Sequence, residues 1–147
     1  MRIQLPDVNI LLALRNPVHP HYQIAKQWFD KEHSNSWATC PLTENGFMRV
    51  YSQTAYKGRT DAPTASFYLL DKLKQTYRSS HTFWDDSVSF SDSALFLPSK
   101  IAGHNQITDI YLLGLCQQNG GTLVTLDQGI TTNAILNPHS DLLKILM

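Results

Sequence analysis

Short apolar runs alternate along the chain with stretches whose apolar residues recur at helical spacing, and this alternation predicts repeated strand–helix units. A first strand covers about Arg2–Leu5, and a short helix Val8–Arg15 follows until Asn16-Pro17 ends it. A second helix runs from about His21 to Lys31, with Ile24, Ala25, Trp28 and Phe29 on its apolar side. Strand two covers Ser36–Cys40, and Pro41 suits the first turn of a helix that extends towards Tyr56, where Lys57-Gly58-Arg59 breaks it. The next helix, about Thr64–Arg78, places Phe67, Leu70, Leu73 and Tyr77 on one face, and His81–Trp84 reads as a third strand. Asp85–Gly103 has the weakest pattern, with a short helix expected around Ser91–Leu97. Asn105–Asn119 is apolar almost all round, as a buried helix is, and Gly120-Gly121 stops it. Thr122–Leu126 and Leu142–Leu146 complete five expected strands. Such alternation predicts one α/β domain over residues 1–147, three layers deep (α/β/α), around a mainly parallel sheet.

Four acids lie at or near the points where this pattern enters a helix. Asp7 closes Ile3-Gln4-Leu5-Pro6-Asp7, Glu44 follows Cys40-Pro41-Leu42-Thr43, Asp109 sits in Gln106-Ile107-Thr108-Asp109, and Asp127 closes Leu123-Val124-Thr125-Leu126-Asp127. Each alone has an ordinary account: acids complement the dipole in a helix's first turn, and Asp127 before Gln-Gly suits a turn. Together they point further. Strand ends of an open parallel sheet gather on one edge, so residues distant in sequence share one crevice. Carboxylates crowded there repel unless protonated or neutralised, and hard cations such as Mg²⁺ or Mn²⁺ favour oxygen ligands. The pattern predicts metal-dependent chemistry on phosphates. The other acids read as solvated faces and loops.

Composition narrows this little. Twelve Lys and Arg balance twelve Asp and Glu, so no global basic field marks a dedicated DNA-binding protein; a nuclease with an acidic centre remains compatible. Cys40 and Cys116 are the only cysteines and read as buried, reduced thiols. Neither a signal-like N-terminus nor an apolar run of membrane-spanning length is present, so the expected compartment is the cytoplasm, with no membrane partner.

Asp7-Val8-Asn9 resembles the Asp-x-Asn opening of PIN domains. Cys40-Pro41-Leu42-Thr43-Glu44 with Gly46-Phe47-x-Arg49-Val50 is similar to their second acidic motif, and Gly103-His104-x-Gln106-Ile107-Thr108-Asp109 and Thr125-Leu126-Asp127-x-Gly129 to the third and fourth. Motif order, spacing and length most resemble VapC-type toxins of bacterial toxin–antitoxin pairs, over nearly the whole chain. The resemblance implies a PIN-like domain and a Mg²⁺- or Mn²⁺-dependent endoribonuclease. Its partners would be an RNA substrate, a cognate VapB-type antitoxin and a second copy of itself in a homodimer. It also implies that Asp7, Glu44, Asp109 and Asp127 form the catalytic metal site, with Asn9, Thr125 and Arg49 supporting it or the substrate. Two positions depart from the family pattern: Ile110 stands where a small residue commonly follows the third acid, and Gln128 where a basic residue often follows the fourth. Bound cations in such a centre polarise a phosphodiester oxygen and lower the pKa of an attacking water, which leaves a 5′-phosphate and a 3′-hydroxyl.

Other constellations carry less. His19-Pro20-His21 lacks matching zinc ligands nearby, and His104 reads as a loop histidine bonding backbone. Arg49, Lys57, Arg59, Lys72, Lys74 and Arg78 are candidates for a basic rim, although solvated helix faces explain most such charges. Two alternatives remain. One is a catalytically silent PIN-like scaffold binding antitoxin or RNA, which has no reason to keep four repelling acids. The other is a different metal-dependent phosphohydrolase, weakened because Asp7-Val8-Asn9 lacks the second Asp of the haloacid-dehalogenase pattern.

Overall fold

The computed structural model describes residues 2–32, 34, 36–54 and 61–147, with Thr54 described by its backbone alone. Its elements are β1 (Gln4–Pro6), α1 (Val8–Leu14), α2 (Tyr22–Glu32), β2 (Trp37–Thr39), α3 (Pro41–Thr54), α4 (Ala62–Thr76), β3 (His81–Phe83), α5 (Ile107–Asn119), β4 (Thr122–Thr125) and β5 (Leu143–Ile145). Single 3₁₀ turns form at Pro98–Lys100 and His104–Gln106. The end of the helix expected near Tyr56, its Lys57-Gly58-Arg59 break and those two basic residues lie outside the described residues.

All five strands are parallel, in the order β3-β2-β1-β4-β5. The chain steps outward from β1 to β3 and then returns to the opposite side of β1. That reversal makes the β1–β4 boundary the topological switch point, where a crevice opens outside the carboxyl ends of the strands. Burial on both faces explains the continuous apolar runs of the central strands. Neighbouring residues point oppositely across the pleat: Ala38 and Leu123 join one core cluster with Leu112 and Cys116 of α5, and Trp37 and Val124 join another with Ile10, Phe29, Phe47 and Leu70. The sheet is therefore covered by α5 on one face and by α1–α4 on the other, the three-layer arrangement expected.

The segment around Ser91–Leu97 is not a helix. The Asp92 side chain accepts from the Ala94 N–H at 3.0 Å, and Phe96 forms an antiparallel bridge to Ile135. Leu97 precedes Pro98, which disfavours helical backbone at that position. The backbone instead bonds across to the loop after β4, through Leu97 N to Ala134 O at 2.8 Å and Leu136 N to Leu95 O at 2.9 Å.

Phe96 packs where α5 offers no side chain: a Cβ at Gly114 would stand inside its ring. Gly114→Ala is expected to lower stability by about 1–3 kcal/mol through overpacking, read as a lower denaturant midpoint at unchanged slope. Gly120 ends α5 at φ 66°, the left-handed conformation that spares glycine the Cβ clash. Cys40 and Cys116 are both buried and unbridged. Among the described residues no helix is long and apolar enough to cross a membrane.

Candidate active site

Asp7 follows β1 directly and its N–H donates to the Val124 carbonyl of β4 at 2.8 Å, so it stands at the switch point. It caps α1, with Oδ1 accepting from Val8 N at 2.6 Å. Thr125, the last residue of β4, donates its hydroxyl to Asp7 Oδ2 at 3.0 Å. That hydroxyl also accepts from Asn9 Nδ2 at 3.4 Å and from the Asp127 N–H at 3.1 Å. Two incoming donors leave the single Thr125 proton one useful direction, towards Asp7. Asn9 closes the arrangement, because its Oδ1 accepts from Leu126 N at 3.3 Å. Asn9 and Thr125 thus tie the end of β1 to the end of β4.

Asp127 lies just past β4, exposed, its Oδ1 accepting from Gly129 N at 2.8 Å. Asp109 enters from the other layer, in the first turn of α5. The three carboxylates feel one another. Burial pushes Asp109 from its ordinary 3.8 up to about 6, and the charges of Asp7 and Asp127 add to the rise. Asp7, only 6% exposed, is raised chiefly by burial, with its bonds to Thr125 and Val8 opposing and Asp127 adding upward.

Glu44 occupies the first turn of α3 and is held differently. Its Oε2 accepts from Thr39 Oγ1 at 2.6 Å and from Lys74 Nζ of α4 at 2.8 Å. Since Thr39 donates to Glu44, it accepts from His81 Nε2 at 2.8 Å, which assigns that ring the Nε2–H tautomer. Burial holds His81 down near 4, helped by the Lys74 ammonium and opposed by Glu44, so it is neutral at physiological pH. The Lys74 clamp links residues thirty apart on two helices and left no mark in the sequence beyond a lysine among other helix lysines. Arg49 is exposed on α3, five residues beyond Glu44 and so turned away round the helix from it.

Among the described residues no three His, Cys, Asp or Glu side chains close around one ion position, and this includes His19 and His21. The donor chemistry of Asp7, Asp109 and Asp127 nevertheless fits a hard divalent cation: the group is all carboxylate, and burial and mutual repulsion raise two of its members. Asp109 and Asp127 also line a cleft of about 440 Å³. A larger depression of about 940 Å³, lined by Arg2, Gln4, Thr122 and Lys144, opens at the opposite, amino ends of the strands; Asp141 there faces Arg2 at 3.5 Å.

Thr125→Val keeps the shape of the side chain but removes the hydroxyl on which Asp7, Asn9 and Asp127 converge. If Asp7 holds a cation, activity is expected to fall about 10–100-fold, the cost of losing a partner that orients a metal-binding carboxylate. Stability is expected to fall by about 1–3 kcal/mol because Asp7 loses a buried hydrogen bond. Cleavage and denaturation of the same preparation measure both; wild-type values for both would remove Thr125 from the site.

The fold and these side chains define a doubly wound α/β protein with an acidic crevice at its switch point. A Mycobacterium tuberculosis protein, ribonuclease VapC44, is 37% identical over 132 residues, covering 89% of this chain and 90% of its own. Ribonuclease VapC38 of the same species is 37% identical over 144 residues, covering 97% and 99%. The chain belongs to the VapC ribonuclease family. No family model matches it. The fold is also that of a solved VapBC2 structure from Rickettsia felis, bound to a DNA fragment from its promoter, with a TM-score of 0.64 at 17% identity over 99% of both chains.

Proposed function

We propose that this protein is a divalent-metal-dependent endoribonuclease, the toxin of a toxin–antitoxin pair, held inactive by a VapB-type antitoxin. The observation that carries the reading is the electrostatically coupled group of Asp7, Asp109 and Asp127 at the β1–β4 switch point of a VapC-family chain. The reading includes a single PIN-like domain over residues 1–147, a homodimer, and residence in the cytoplasm. The homodimer and the compartment rest on the family resemblance.

Asp7, Asp109 and Asp127 would hold Mg²⁺ or Mn²⁺, and Glu44 would join them when its carboxylate is released from Lys74. A cation bound there supplies Lewis-acid polarisation of a phosphodiester oxygen and acidifies an attacking water. The chain's own contribution is placement. Thr125 and the Val8 N–H fix both oxygens of Asp7, so that carboxylate is oriented before substrate arrives. Asn9 and Asp127, bonded through Thr125 and Leu126, keep the loop after β4 in register with α1. Lys74 neutralises Glu44 and brings one positive charge near an otherwise repulsive acidic surface.

The test is incubation of purified, antitoxin-free protein with total cellular RNA in Mg²⁺ or Mn²⁺, followed by mapping of the ends. Discrete cuts with 5′-phosphate and 3′-hydroxyl ends, abolished by EDTA, are expected. RNA left intact in both metals, by protein that still binds its antitoxin, would favour the silent scaffold.

A further inference from the structure

We propose that the cleft beside Asp109 and Asp127 is a nucleotide subsite, in which Asn105 and Asn133 read the base next to the scissile phosphate and Lys100 meets the RNA backbone. This rests on the ribonuclease reading and adds to it where sequence preference comes from. The cleft, about 440 Å³, lies within the size range of small-molecule sites and suits one nucleotide. Its apolar lining is the exposed Ala102 with the buried Ile110, Ile130 and Ala134, a surface for an unstacked base. The rest of its lining is polar, with Asn105, Gln106, Thr131 and Asn133 beside the charged Lys100, Asp109 and Asp127. The side chains of Asn105 and Asn133 are exposed and make no hydrogen bond among the described residues, so both donors and acceptors of each amide are available. A primary amide offers a donor and an acceptor side by side, the pattern that pairs with the edges of splayed-out bases in single-stranded RNA. Among the described residues Lys100 is the only cation lining the cleft, and its ammonium forms no ion pair with any of them. The acids stand in the same lining, so a base held by the amides puts its phosphate next to the reacting centre.

The walls are also built to keep this shape. Asn105 belongs to the 3₁₀ turn His104–Gln106, closed by Gln106 N to Gly103 O at 3.1 Å, and Lys100 to the turn Pro98–Lys100, closed by Lys100 N to Leu97 O at 3.0 Å. Asn133 sits in the loop after β4, which the Phe96–Ile135 bridge fastens to the segment leading into Lys100. Three separate pieces of chain therefore present their polar groups to one space without rearrangement, which limits the ordering cost of binding.

Two measurements on the full chain test this. Cleavage of a randomised RNA pool in Mn²⁺ gives the base preference on either side of the cut. The double variant Asn105→Ala/Asn133→Ala is expected to reduce one flanking preference about ten-fold or more while still cutting the pool, and Gln75→Ala on the exposed face of α4 is expected to leave it unchanged. In the second, the four nucleoside 5′-monophosphates are titrated into isotope-labelled protein in EDTA, and amide shifts are expected around Lys100, Asn105, Ile130 and Asn133, larger for one base than for the rest. An unchanged preference in the double variant overturns the subsite, as do shifts that fall elsewhere or none at millimolar nucleotide. A wild-type protein that leaves all RNA intact overturns the ribonuclease reading instead, and the titration then decides the subsite alone.

Discussion

Asp7→Asn is expected to reduce RNA cleavage by more than about 100-fold while the fold and antitoxin binding survive. The magnitude follows from the charge. Losing a residue that merely orients a ligand costs about 10–100-fold, so losing the anionic group proposed as the ligand itself lies beyond that range. The substitution changes almost no volume, and its effect on the fold has two opposing parts. A buried carboxylate, 6% exposed and raised by burial and by Asp127, no longer has to be kept charged at neutral pH. Against this, Asn keeps an oxygen for the Val8 N–H but turns an amide NH₂ towards Thr125 Oγ1, which already accepts from Asn9 and the Asp127 N–H. One mismatched contact costs about 1 kcal/mol, so the metal-free variant is expected to melt close to the wild type. Asp30→Asn is the matched control: Asp30 is exposed on α2 and meets Lys26 at 2.9 Å on the same face, a solvated pair that contributes little. Equal amounts of folded protein, checked by circular dichroism, should be compared in excess RNA with Mn²⁺. Undiminished cleavage by Asp7→Asn would remove it from the metal site, and an unfolded variant would assign it a structural role.

Much of this was legible because it is local. The apolar run Leu123-Val124 is buried on both faces of the sheet, the all-round apolar Asn105–Asn119 pattern is the buried α5, and Pro41 begins α3 as a first-turn proline should. The places of Asp7 and Asp127, just past β1 and β4, were legible for the same reason: a parallel sheet turns position along a strand into position at an edge. What escaped depends on partners distant in sequence. Ser91–Leu97 carries a short helical pattern, yet its backbone is claimed by Ala134 and Leu136, far along the chain, and no periodicity reports such a partner. Glu44 was legible as a helix-start acid, but not its capture by Lys74, because α3 and α4 meet only in three dimensions. Thr125 was expected as a supporting hydrogen bonder; its place as the junction among Asp7, Asn9 and Asp127 required the β1–β4 pairing, whose register sets Pro6 beside Val124.

Metal-free protein is expected to lose stability as pH rises from about 4 to about 6, and Mn²⁺ or Mg²⁺ is expected to restore it increasingly as the carboxylates ionise through that window. The sign comes from Asp109. Its folded pKa of about 6 exceeds the ordinary 3.8, so between these values the native state holds a proton that the unfolded chain has released. Stability therefore falls with rising pH across the window, and Asp7, shifted in the same direction, steepens the fall. A divalent ion that binds the ionised carboxylates in the native state alone opposes this by mass action, by about 2.7 kcal/mol when free metal is one hundred times its dissociation constant. At pH 4.5, where Asp109 is protonated, the same metal has little to bind and should leave the melting temperature unchanged. Cleavage should rise through the same window as the carboxylates become available. Melts in EDTA and in millimolar Mn²⁺, from pH 4 to pH 8, separate this from a general metal effect when Asp109→Asn is run beside the wild type. The variant lacks the titrating group, so its metal-free profile should be flatter and its metal shift small. Parallel profiles for the two proteins, with no metal shift in either, would mean that Asp109 neither titrates as its surroundings dictate nor contributes to a cation site.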